Sequence, residues 1–164
     1  MSWLDRVLNT VWRDQLTGLH LEEPSPRAFI VSCEPARSLR ALPLLVPQPA
    51  VLYCEDTTDR AVEVWLRKHA MASPPDKVRV GTVIPSPNCY HVALEPELVE
   101  QLARIVEDRG VALPSIHVHV YAEHRVLVEW HDAFLDDPVL LSRSLPEERV
   151  QAFVTATGAR PVKV

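Results

Sequence analysis

Glycine is scarce. The 164-residue chain holds four, Gly18, Gly81, Gly110 and Gly158, and no two stand close together. Dinucleotide-binding loops and P-loops need clustered glycines so that backbone N–H groups can approach phosphates, and both are excluded on that ground. The three cysteines, Cys33, Cys54 and Cys89, show no CxxC spacing. Their odd number argues against a disulfide framework and reads as reduced thiols. No GxSxG elbow occurs, which removes the strand-to-helix nucleophile turn of the α/β-hydrolases. No apolar run approaches the ~20 residues that span a bilayer. Asp5 and Arg6 interrupt the N-terminus where a secretory core would sit. Positive charge is also in deficit. The net charge of −5 repels nucleic acid and anionic membrane. The expectation is a cytoplasmic protein that binds neither.

Hydrophobic residues make up 47% and charged residues 24% of the chain, the balance of a globular protein. With 15 prolines the loops are stiff. Residues 3–15 read as an amphipathic helix. Trp3, Leu4, Val7, Leu8, Val11 and Trp12 form one stripe, with Asp5, Arg6, Asn9, Arg13 and Asp14 opposite. Residues 16–26 lose that period and read as a connector. This divides the chain into an N-terminal helix with its connector, 1–26, and an α/β domain, 27–164.

Within that domain, 27–33, 50–54, 77–84 and 89–94 read as strands. Helices are expected at 36–42, 58–70, 96–109 and 146–157, with an extended stretch over the prolines 43–49. Asp56 is the expected cap of the second of these helices. Pro96 opens the third and Gly110 closes it; Pro146 and Gly158 do the same for the fourth. Early alternation of strand and helix predicts a single domain with a mixed β-sheet flanked by helices, ending in a late antiparallel hairpin.

That hairpin, SIHVHVYAEHRVLVEWH, is the most informative stretch. Strands at about 116–122 and 126–132 are joined by a turn near 123–125. A three-residue turn pairs odd-numbered with odd-numbered residues. Ile116, Val118, Val120, Val126, Val128 and Trp130 then share an apolar face. His117, His119, Tyr121, Leu127, Glu129 and His131 share the other.

Two functional readings follow. In the first, the chain is a non-catalytic interaction module of the regulator, inhibitor or immunity type. Residues 129–148 hold six acidic side chains and one basic one, so Asp132, Phe134, Asp136 and Asp137 suit a basic protein partner. The tryptophan stripe of the first helix suits a partner or self-association. In the second, His117, His119, Glu129 and His131 ligate zinc or iron, and a metal-bound water hydrolyses a substrate. Glu55, Asp56 and Asp59 after the second strand form a lesser carboxylate cluster, read mainly as helix capping.

Overall fold

The computed structural model describes residues 17–82 and 86–163. The expected helix at 3–15 and its tryptophan stripe lie outside them. In order, the elements are β1 (Arg27–Ile30), α1 (Pro35–Leu45), β2 (Val51–Glu55), α2 (Arg60–His69), β3 (Cys89–Ala93), α3 (Pro96–Arg109), β4 (His117–Ala122), β5 (Arg125–Trp130), β6 (Val139–Leu141), α4 (Glu147–Thr157) and β7 (Arg160–Val162). The strands form one sheet in the order β3-β2-β4-β5-β6-β1-β7.

The α/β class is as expected, but every strand pairing within this sheet is antiparallel. The mixed sheet is therefore corrected. The reason lies in the connection after α2. Instead of entering a parallel strand directly, residues 70–82 cross the sheet face that the helices leave bare. Asn88 thereby returns beside Asp56, whose N–H donates to the Asn88 carbonyl at 2.9 Å. The next strand must then run back against β2. Of the strand expected at 77–84, residues 77–82 are part of this crossing. Among the described residues it makes only an isolated bridge, Val78 to Leu19. The short strands β6 and β7 had no counterpart in the sequence reading.

One face of the sheet packs on the helices. Leu52, Cys54, Tyr90, Val92, Val118, Val120, Val128 and Trp130 share a core with Leu39, Leu42 and Leu45 of α1, Leu66 of α2, Leu102 and Val106 of α3, and Phe153 of α4. Helix α1 runs through Pro43, where an extended chain was expected. Leu42 and Leu45 are fully buried on either side of it. Two such burials, at about 2 kcal/mol each, offset the ~3 kcal/mol of an interior proline. Asp59, not Asp56, caps α2: its Oδ1 accepts the N–H groups of Ala61 (2.8 Å) and Val62 (3.2 Å). Gly110 and Gly158 end α3 and α4 as expected.

The opposite face carries a smaller core of Val51, Tyr53, Val78, Tyr121 and Val126, joined by Leu19 and Leu21. Two irregular segments, 17–23 and 70–82, cover it. They are laced together by Leu19 N–H to the Lys77 carbonyl (2.8 Å) and Arg79 N–H to the Leu19 carbonyl (2.9 Å). Gly18 permits this lacing. Its φ is +131°, and a Cβ there would stand 2.8 Å from backbone atoms of Lys77, Val78 and Arg79. Gly18→Ala should therefore lower the unfolding free energy by about 2 kcal/mol and speed amide exchange at Leu19 and Arg79. Unchanged urea midpoint and exchange would show that the lacing does not hold this cover.

Candidate functional site

The hairpin sets which side chains meet beneath the cover. Its turn has two residues, Glu123 and His124, both with positive φ (49° and 61°), so Ala122 pairs with Arg125 and Tyr121 with Val126. A two-residue turn alone would put even residues opposite odd ones. A bulge then leaves Leu127 without a partner, and the pairing continues as Val120 to Val128, His119 to Glu129 and Val118 to Trp130. The bulge restores the parity that the turn breaks. His117, His119, Tyr121 and Glu129 share the non-helical face, as the alternation predicts. Val126 and Leu127 exchange places relative to that prediction. Val126 joins the small core and Leu127 the large one.

The sheet face bearing the histidines is not solvated. Glu55, at the end of β2, pairs with His117 and Cys89 across its two neighbours and is 0% exposed. Its Oε1 accepts the Tyr53 hydroxyl (2.8 Å) and Gly81 N–H (2.6 Å), and its Oε2 accepts Thr82 N–H (3.0 Å). Three donors compensate a buried carboxylate that would otherwise be prohibitive. Gly81 allows the approach, because a Cβ there would lie 2.5 Å from the His117 ring. His117 Nδ1 accepts Asp132 N–H at 3.0 Å. The proton is therefore on Nε2, which donates to Thr82 Oγ1 at 3.1 Å. Burial lowers the His117 pKa, consistent with a neutral ring.

Glu129 and His131 form a pair at 2.8 Å, and the second Glu129 oxygen accepts Leu21 N–H at 2.8 Å. Burial works to raise the Glu129 carboxyl, but those two hydrogen bonds overcome it and hold the pKa at about 2. The Glu129 contact correspondingly raises His131. His119 differs from its neighbours. It is 2% exposed, and neither ring nitrogen has a hydrogen-bond partner. Burial pushes its pKa down to about 3. The ring sits 5.1 Å from that of His131 and 5.4 Å from Tyr53. A cavity of about 340 Å³ opens over this group, lined by His20, Arg79, Val80, Gly81, His119, Glu129 and His131.

The four proposed metal ligands are thus brought together, but not as a ligand set. Both nitrogens of His117, both oxygens of Glu129 and Nε2 of His131 are spent on protein hydrogen bonds. Among the described residues no group of three or more His, Cys, Asp or Glu side chains is disposed to hold a metal ion. Glu55 belongs to the site as an anchor, while Asp59 caps α2 and pairs with Arg109 at 2.9 Å. Asp56 binds Asn88. Cys54 is buried and its thiol raised to about 12 by burial. Burial also raises the exposed-edge thiol of Cys89, so neither is an activated nucleophile. Sequence reading missed Arg79, Gly81, Thr82 and His20, because their place depends on how an irregular segment crosses the sheet. Asp132, Asp136 and Asp137 are exposed, whereas Phe134 packs on Trp130 with ring centroids 4.7 Å apart.

No family model, curated protein or solved structure matches this chain. No helix among the described residues is long and apolar enough to cross a membrane.

The titrations carry opposite signs. His119 binds protons less readily folded than unfolded, so its contribution to stability grows as pH rises from about 3 to the ordinary 6.5. The Glu129–His131 pair contributes fully between the ordinary carboxyl value of 4.5 and the ordinary imidazole value of 6.5. It weakens as pH falls towards about 2, and again as pH rises through the raised His131 pKa. Imidazole resonances followed by NMR should show His119 neutral down to about pH 3 and His131 still charged above 6.5. A His119 that titrates near 6.5 would mean that its ring is hydrated or partnered.

Proposed function

We propose that the protein is a small-ligand-binding domain whose site is the cavity over His119, with Glu129 and His131 as its proton-transferring pair. The observation that carries this reading is the pair of partnerless nitrogens on His119. Buried polar groups are nearly always satisfied, and an exception that lines a cavity is a place for a partner to bind. Among the described residues Arg27 Nε and Trp65 Nε1 are also orphaned. Of these residues only His119 has two orphaned atoms, and only His119 lines this cavity. A carboxylate–imidazole pair at 2.8 Å beside it holds a transferable proton on the imidazole.

A residue kept for a ligand is kept at a cost to the empty fold. Replacing His119 with leucine or phenylalanine removes the unsatisfied groups. At pH 7.5 at least one of these variants should unfold at higher urea than wild type, by about 1–3 kcal/mol. If both are less stable, His119 serves the fold itself and the ligand site loses its support.

A second reading has its own observation. Leu135 is 51% exposed between the exposed carboxylates of Asp132, Asp136 and Asp137, an apolar tip on an acidic loop. This supports the interaction reading for a basic partner, with Leu135 in the part first given to Phe134. A decalysine peptide should bind with a strong salt dependence and lose most of that binding in Asp136→Lys/Asp137→Lys. Binding unaffected by the double reversal would remove the loop from consideration.

A further inference from the structure

The hydrogen-bonding groups around the cavity are unevenly spent, and the imbalance states what a ligand must bring. The single carboxylate in its lining is Glu129, and both of its oxygens already accept protein donors. Glu55, just behind Gly81, is likewise saturated by Tyr53, Gly81 and Thr82. The donors are not spent. Arg79 is exposed at the rim and has no ion-pair or side-chain hydrogen-bond partner among the described residues. This contrasts with Arg27, Arg40, Arg67 and Arg109, all of which meet a carboxylate. His20 is the exception, since its Nδ1–H already donates to the Gly18 carbonyl at 3.4 Å. His131 donates Nε2–H to Glu129, and the imidazolium form that this contact favours keeps its Nδ1–H open; His119 uses neither nitrogen.

A neutral imidazole always carries one N–H, and a guanidinium carries five donors and no acceptor. The carboxylate acceptors on the protein side are therefore filled, while the Arg79 guanidinium and the one N–H of His119 remain open. We propose that this cavity binds a small oxyanion, a carboxylate or a phosphate, with Arg79 as its principal contact and His131 and His119 as further donors. The inference rests on the ligand-site reading and narrows it to one chemical class. Arg79 owes its position to the lacing of the two cover segments, since its own N–H donates to Leu19 and its neighbour Val78 is buried in the small core. The guanidinium is thus carried on backbone fixed from both sides, although its side chain is free.

The experiment is a titration of the ¹⁵N-labelled full chain at constant pH and ionic strength. Inorganic phosphate, acetate and glycerol are separate probes, and the histidine ring resonances are the readout. Saturable shifts at His131 and His119 with phosphate or acetate are expected, and whichever binds more tightly distinguishes a phosphate from a carboxylate source. Arg79→Ala should weaken that binding about tenfold or more, and Arg79→Lys should recover part of it because the charge is retained without the fork. Arg79 is exposed, so both variants should keep the wild-type urea midpoint. Shifts with glycerol alone would overturn the oxyanion class while leaving a ligand site in place. Absence of saturable shifts with every probe would overturn both. Anion binding indifferent to Arg79→Ala would overturn the assignment of the contact.

Discussion

The buried carboxylate of Glu55 is the interaction on which the non-helical half of the molecule depends. It ends a central strand, is wholly shielded from water, and draws the backbone N–H groups of Gly81 and Thr82 onto the sheet. Without those donors a charge at this position would carry a desolvation penalty of several kcal/mol. Conversely, without the carboxylate, two backbone N–H groups of an irregular segment would be left against the sheet without an acceptor. Each therefore requires the other. The arrangement also fixes Thr82, which orients His117, and brings residues 79–81 over His119. The cavity is a by-product of this anchoring, since the cover touches the sheet at Glu55 on one side and at Glu129, through Leu21, on the other.

The hairpin supplies the second constraint. A two-residue turn and a one-residue bulge compensate each other, and the outcome is that His119 opposes Glu129 while Val118 opposes Trp130. Had the turn acted alone, the polar side chains of one strand would have faced the apolar ones of the other. The bulge exchanges Val126 and Leu127 between the two cores. Both are apolar, so the exchange occurs where it disturbs least. His124 helps to hold the turn in its left-handed conformation through a 2.7 Å contact with Asp76 of the covering segment.

Much of the helical layer was legible because its signals are local. Pro96 and Gly110 mark the ends of α3 in the sequence, and Leu102 and Val106 mark its buried side. The common face of His117, His119 and Glu129 was legible for the same reason, through strict alternation. Three things were not. The sheet is antiparallel because of where residues 70–82 travel, and no local pattern encodes that path. Valines on both sides of Gly81 read as a strand, although the segment uses its backbone for a carboxylate and for Leu19 instead of a ladder. The metal reading counted the right residue types on the right face. It failed to count their hydrogen bonds, which come from Leu21, Thr82 and the backbone of Asp132. Two of these partners lie outside the hairpin, and the third belongs to the turn that follows it.

The two faces of the sheet meet the same physical demand in different ways. The helical face is covered by elements whose backbone groups are satisfied internally, so apolar side chains suffice. The other face is covered by irregular chain, whose N–H groups must find acceptors below. Glu55, Glu129 and the Nδ1 atom of His117 are those acceptors. Polar residues beneath a loop therefore do not by themselves indicate chemistry; here most of them are fasteners. His119 is the exception because it fastens nothing. It lies between Tyr53 and His131, at the place where the two covering segments leave a gap. A leucine would fill that position without an unsatisfied group, and the strand would keep its register, since backbone pairing and not the imidazole sets it. The retained imidazole separates the part of this polar layer that holds the fold from the part available to a ligand.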